Sequence, residues 1–179
     1  VAVYVALLRG INVGAHRQIA MRDLADVCDG LGYAEVNTYL RSGNVVFRAS
    51  GGSASRIADV LEAGIAERFG FDVTTLIRTP RELESVVAGN PYLGRGASVD
   101  RLHVTFLHDK PAKSAVDAID PEEGRGDAFE VVGREVYLHC PNGYGRSRLT
   151  NPFWERRLAT AATTRNWKTV NALVDLARG

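Results

Sequence analysis

The sequence predicts an α+β protein made of two tandem halves with mainly antiparallel sheets and a C-terminal helix. Three observations predict it. Residues 1–8 form a near-continuous apolar run, Ser42-Gly43 and Gly133-Arg134 each sit between alternating strand-like segments, and amphipathic helical stripes separate the strands. The 179 residues and 19.4 kDa suffice for one domain or two small ones. With 45% apolar and 24% charged residues the chain is neither disordered, fibrous nor a disulfide scaffold.

The elements follow in order. Residues 1–8 read as a strand buried on both faces and central in its sheet. After a loop with Gly10 and Gly14, the spacing of Leu24, Val27, Cys28 and Leu31 gives a helix closed by Gly32. Residues 36–40 and 44–47 predict two strands around a two-residue Ser42-Gly43 turn. Ile57, Val60, Leu61 and Ile65 mark a second helix ending at Gly70, and residues 73–77 a fourth strand. Thr79-Pro80-Arg81-Glu82 is a capping box with proline in the first turn, so a third helix runs from there to Gly89.

The pattern then recurs. Residues 102–107 alternate as a half-buried strand, Ala112, Ala115, Val116 and Ile119 form a short helix, and residues 128–132 and 135–140 form a hairpin turning at Gly133-Arg134. A helix over 148–158, a short strand over 160–164 and an amphipathic helix over 167–178 complete the chain. The order β-α-β-β-α-β is that of ferredoxin-like units, which predicts an N-terminal ferredoxin-like half over 1–79 and a C-terminal one over 80–179 with an added terminal helix. No residue-level repeat between the halves is visible.

The 22 basic and 21 acidic residues leave a net charge of +1, so no whole-chain field drives binding to nucleic acid or membrane. Residues 1–8 are too short for a membrane span and lack a basic leader, so a cytoplasmic protein is expected, with an initiator methionine and a few residues preceding Val1. Cys28 and Cys140 have no ligand-like spacing. They are expected to be reduced, Cys28 in the core of the first half and Cys140 on a strand of the second, with no metal and no cofactor.

Three segments go beyond pattern: ALLRGINVG at 6–14, TYLRSGNVVF at 38–47 and ATTRNWKTV at 162–170. Together they resemble the bacterial domain of unknown function 1697 family over essentially the whole chain. Ala15 stands where the first motif often has a second glycine, and Lys168 where arginine is common. The resemblance implies two ferredoxin-like halves and brings no established activity, cofactor or substrate.

Arg9, Gly10 and Asn12 follow the first strand, where a loop can offer amides and a guanidinium to an anion, although the spacing matches no phosphate-loop pattern. Arg41, Ser42, Gly43 and Asn44 form the hairpin. In a β-α-β-β-α-β unit that hairpin shares one sheet end with the loop leaving strand one, so the two motifs should be neighbours. Residues 144–168 carry six basic side chains, Arg146, Arg148, Arg156, Arg157, Arg165 and Lys168, against Glu155 alone, and residues 109–135 balance them with eight acids and four bases. Arg146 and Arg148, and Arg165 with Lys168, are expected at two helix N-termini, where cations oppose the dipole unless an anion is near. Arg165 and Asn166 are expected to complete the loop-and-hairpin site, and Tyr144 and Trp167 offer faces for a base, although the stripe of Trp167 suits a core position.

The sequence therefore points to a binding module for a phosphate-bearing ligand, an anionic small molecule or nucleic acid. An enzyme acting on a small anionic metabolite, or an assembly protein whose motifs clamp its halves, are the alternatives. No G-x-S-x-G or H-E-x-x-H motif is present. His108-Asp109 is the one neighbouring acid–base pair, and the sequence leaves open whether the protein is an enzyme and how many copies assemble.

Overall fold

The opening apolar run becomes β1 (Ala2–Leu8), one of the two inner strands of a four-stranded antiparallel sheet in a computed structural model that describes residues 1–179. With β2 (Ala34–Tyr39), β3 (Asn44–Ala49) and β4 (Thr75–Arg78) the order is β2-β3-β1-β4. Ala6 and Leu8 join a core with Leu24 and Cys28 of α1 (Met21–Gly30) and with Ile57, Leu61 and Ile65 of α2 (Ala54–Phe69). Val5 and Leu7, on the opposite face of β1, are equally out of water. That two-sided burial is why the strand reads as a run rather than an alternation. Ser53 caps α2 by accepting from the Arg56 amide, and Gly70 ends it in the left-handed conformation. Thr79 and Glu82 form the expected reciprocal cap of α3 (Pro80–Ala88), at 3.2 and 2.8 Å.

The second sheet has the same order, β6-β7-β5-β8, from β5 (Leu102–Leu107), β6 (Ala128–Val132), β7 (Glu135–His139) and β8 (Ala162–Asn166). Its core joins Leu107, Val136 and Leu138 to Phe153, Trp154 and Leu158 of α5 (Asn151–Leu158), with Ala115 and Val116 of α4 (Lys113–Asp117) packed against them. α6 (Trp167–Arg178) closes the chain, and Trp167 is buried as its stripe indicated. The chain divides into a unit of Val1–Ser85 with Ala172–Gly179 and a unit of Val86–Asn171. No helix is long and apolar enough to cross a membrane.

Four local expectations change. The first hairpin is connected by four residues, because Tyr39 pairs with Asn44 and both Leu40 and Gly43 take positive φ. β5 is buried on both faces rather than one. Thr105 escapes the cost of burial by a 2.7 Å hydroxyl contact with Thr164, which in turn donates to Asn151. α5 starts at Asn151, not at residue 148, because Thr150 accepts from the Phe153 amide and Pro152 occupies the first turn. Cys140 lies one residue beyond β7, while Cys28 is in the first core.

The registers expose a repeat that the sequence hides. Val5 faces Arg78 across β1 and β4, and Val104 faces Arg165 across β5 and β8. Leu7 pairs with Asn44 and Phe106 with Glu135. Strand for strand the two units are built alike, and the valine–arginine pair is one of the few places where their side chains coincide.

Candidate functional site

In the first unit the loop after β1 and the β2–β3 turn are bonded to each other. The Leu8 amide donates to the Gly43 carbonyl at 2.8 Å, and the Asn12 side-chain amide donates to the carbonyls of Arg41 and Ile19, each at 2.8 Å. Asn12 also accepts from the Ile19 amide at 2.8 Å and adopts φ 56°, a conformation asparagine tolerates better than most residues. Its side chain is thus spent on bracing the loops.

Asn44 is spent in the same way, since its buried amide donates to the Tyr39 carbonyl at 2.6 Å and to the Ser42 hydroxyl at 2.9 Å. Gly43 is required twice over. Its φ is +89°, and a Cβ there would lie 2.7 Å from Ile11 Cδ1 and 2.9 Å from Leu8 Cβ. Gly10 has φ +69° with open space around it, so only its backbone conformation demands glycine.

Three arginines stand on these two loops. Arg9 is half-buried, and its amide holds the chain to the Thr74 carbonyl at 2.9 Å. Arg41 is exposed with one nitrogen 3.2 Å from the Gln18 side-chain oxygen, and Ser42 beside it is exposed too. Arg17, which no sequence signal singled out, donates to the carbonyls of Gly10 at 3.2 Å and Asp72 at 2.5 Å and lies over the Phe71 ring. Its donors are taken by neutral carbonyls, so its charge stays uncompensated by them. The exposed Val13 and Leu40 stand on the same two loops.

The second-unit candidates are dispersed. Arg146 ends a three-residue 3-10 turn, Tyr144–Arg146, and Arg148 lies in the exposed loop before α5, so neither stands in that helix's first turn. Arg165 lies on β8 instead of at the start of α6. It is 5% exposed and donates to the Thr163 hydroxyl at 2.7 Å and the Thr164 carbonyl at 3.1 Å. Burial pulls its pKa from 12.5 down to about 10. Asn166 caps α6 by accepting from the Thr169 amide at 2.8 Å, which leaves exposed Lys168 as the one cation in that first turn.

One face of the Tyr144 ring is occupied by His103, which stacks on it at 4.7 Å. Burial lowers the pKa of His103 and raises the thiols of Cys28 and Cys140 to about 12 and 11, so the thiols are protonated at neutral pH and unsuited to nucleophilic work. His108 and Asp109 meet at 3.1 Å on the surface. The basic and acidic stretches do pair at one place, where Arg157 is bidentate on Glu123.

The sequence model of the family described as Protein of unknown function (DUF1697) matches residues 1–137, which includes both loops of the first-unit site. The chain belongs to this family. No curated protein matches the sequence. Among solved structures, the conserved bacterial protein SP0830 from Streptococcus pneumoniae is similar with a TM-score of 0.71 at 21% identity, covering 98% of each chain. The shared fold of that protein and this DUF1697 chain therefore extends past the matched region, into α6.

Proposed function

We propose that this DUF1697 protein is a binding module for a phosphate-bearing ligand, a nucleotide or RNA, held at the loop-and-hairpin end of the first sheet. The observation that carries the reading is the bracing of two sequence-distant motifs by Asn12, which ties the loop that carries Arg9 and Arg17 to the turn that carries Arg41. A rigid, prepaid loop frame is what an anion site needs, because little order remains to be created on binding. Guanidiniums suit phosphate through their planar, paired donors. The reading rests on the first unit alone; the burial of Arg165 supports a structural role for it. The strand order supports reading each half as ferredoxin-like, the streptococcal neighbour supports a bacterial origin, and two free buried cysteines support a cytoplasmic setting.

The test is a thermal-shift screen with nucleotides, phosphorylated metabolites and short RNAs, followed by titration of Arg41→Ala. A ligand of the folded state raises the melting temperature. Arg41→Ala should weaken that ligand about tenfold, the worth of one charge-assisted contact, with the unliganded melting temperature unchanged. A screen in which no phosphate-bearing probe shifts the melting temperature overturns the reading.

A further inference from the structure

We propose that the second unit carries a separate site for a small phosphorylated compound, in the cleft between the 3-10 turn Pro121–Gly124 and α5. The cleft has a volume of about 620 Å³, within the usual size for small-molecule sites. Its charges do not cancel as the sequence totals suggest. Asp120 accepts from the Glu122 amide at 2.9 Å, and Glu123 accepts from the Asp120 amide at 3.2 Å while holding Arg157 in a bidentate pair. Of the three acids only Glu123 is therefore neutralised by a guanidinium, and Arg157 is fixed over the Phe153 ring, 5.3 Å from its centre.

What lines the cleft without a charged partner is Arg125, Arg148 and Arg156 against Asp120 and Glu122; all five are exposed, and none of the three guanidiniums makes a hydrogen bond or ion pair. They come from three separate segments, which is why no local motif announces them. Arg125 is held at φ 47°, ψ 54°, a left-handed conformation that costs a side-chain-bearing residue free energy. Three like charges around one concavity repel each other, and a dianion lying between them removes that repulsion while accepting their donors. A phosphate monoester or diphosphate provides this charge and geometry, and the remaining volume leaves room for a modest organic body.

The experiment titrates inorganic pyrophosphate and ADP by calorimetry into the Arg41→Ala protein, in which the first-unit surface is already weakened. One bound probe per chain is expected. The double variant Arg148→Ala/Arg156→Ala in that background should weaken binding at least about tenfold, and Glu122→Gln should tighten it about twofold, since it removes one of the two carboxylates without a cationic partner. All four positions are exposed, so unchanged circular dichroism is expected and confirms that folding is intact. Absence of binding by either probe, equal affinity in the double variant, or equal affinity for citrate would each overturn the site. Failure of the first-unit reading shows separately, as identical titrations of the unmodified and Arg41→Ala proteins.

Discussion

Matched strand for strand, the two units agree in backbone and disagree in what they mount on it. The Leu8 amide donates to the Gly43 carbonyl at 2.8 Å and the Leu107 amide to the Arg134 carbonyl at 2.8 Å; the Arg9 amide donates to Thr74 and the His108 amide to Ala161, both at 2.9 Å. On that shared frame the first unit mounts a long loop locked by Asn12 and a four-residue turn locked by Asn44. The second mounts the exposed His108-Asp109 pair and a two-residue turn at Gly133-Arg134. The frame is dictated by sheet register, whereas the chemistry is dictated by loops that register leaves free to vary.

The sharpest test of the difference is Gly43→Ala. At φ +89° with two carbons under 3 Å from the added methyl, it should cost about 3 kcal/mol in urea unfolding. His108→Ala, on the matching end of the second unit, should cost under about 0.5 kcal/mol because the side chain is exposed. Comparable costs would mean that the two ends are built on the same principle after all.

Arg78 and Arg165 test the likeness. Each is buried, each lies on the last strand of its unit opposite a valine, and each donates to the carbonyl of the residue before it at 3.1 Å. Arg78→Ala and Arg165→Ala should therefore each cost about 2 kcal/mol, through lost packing and neighbouring acceptors left unsatisfied. A neutral outcome at one position only would break the equivalence.

Smaller effects separate the units further. His103 occupies the register position of Tyr4, so only the second unit carries a half-buried imidazole there. Burial holds its pKa below the ordinary 6.5, so as pH falls the unfolded chain takes up the proton first. Stability is thus complete above pH 6.5 and declines as pH drops towards the folded pKa; His103→Phe should flatten that decline in pH-dependent melting curves. The smallest change is a gain. Leu40 sits at φ 58° and is 53% exposed, so Leu40→Gly should stabilise the protein by about 0.5 kcal/mol, giving the first turn the glycine solution that Gly133 gives the second.

The sequence by itself determined the elements and their sheets. The two-sided apolar run of β1, the Thr79 cap and the glycine stop at Gly70 all act within a few residues, so their physics is written locally. It also determined that the two motif loops are neighbours, because strand direction in a β-α-β-β order leaves them one shared end. The tertiary structure alone decided what the motif residues are for. Asn12 and Asn44 carry the same amide whether they bind a ligand or brace a loop, and only the positions of Arg41, Ile19 and Tyr39 choose the second. It alone decided that Arg165 is buried on a strand, and that Arg125, Arg148 and Arg156 border one cleft. These outcomes depend on contacts between segments far apart in the chain. A side chain's partner is fixed by the fold that delivers it, and composition and periodicity carry no record of that delivery.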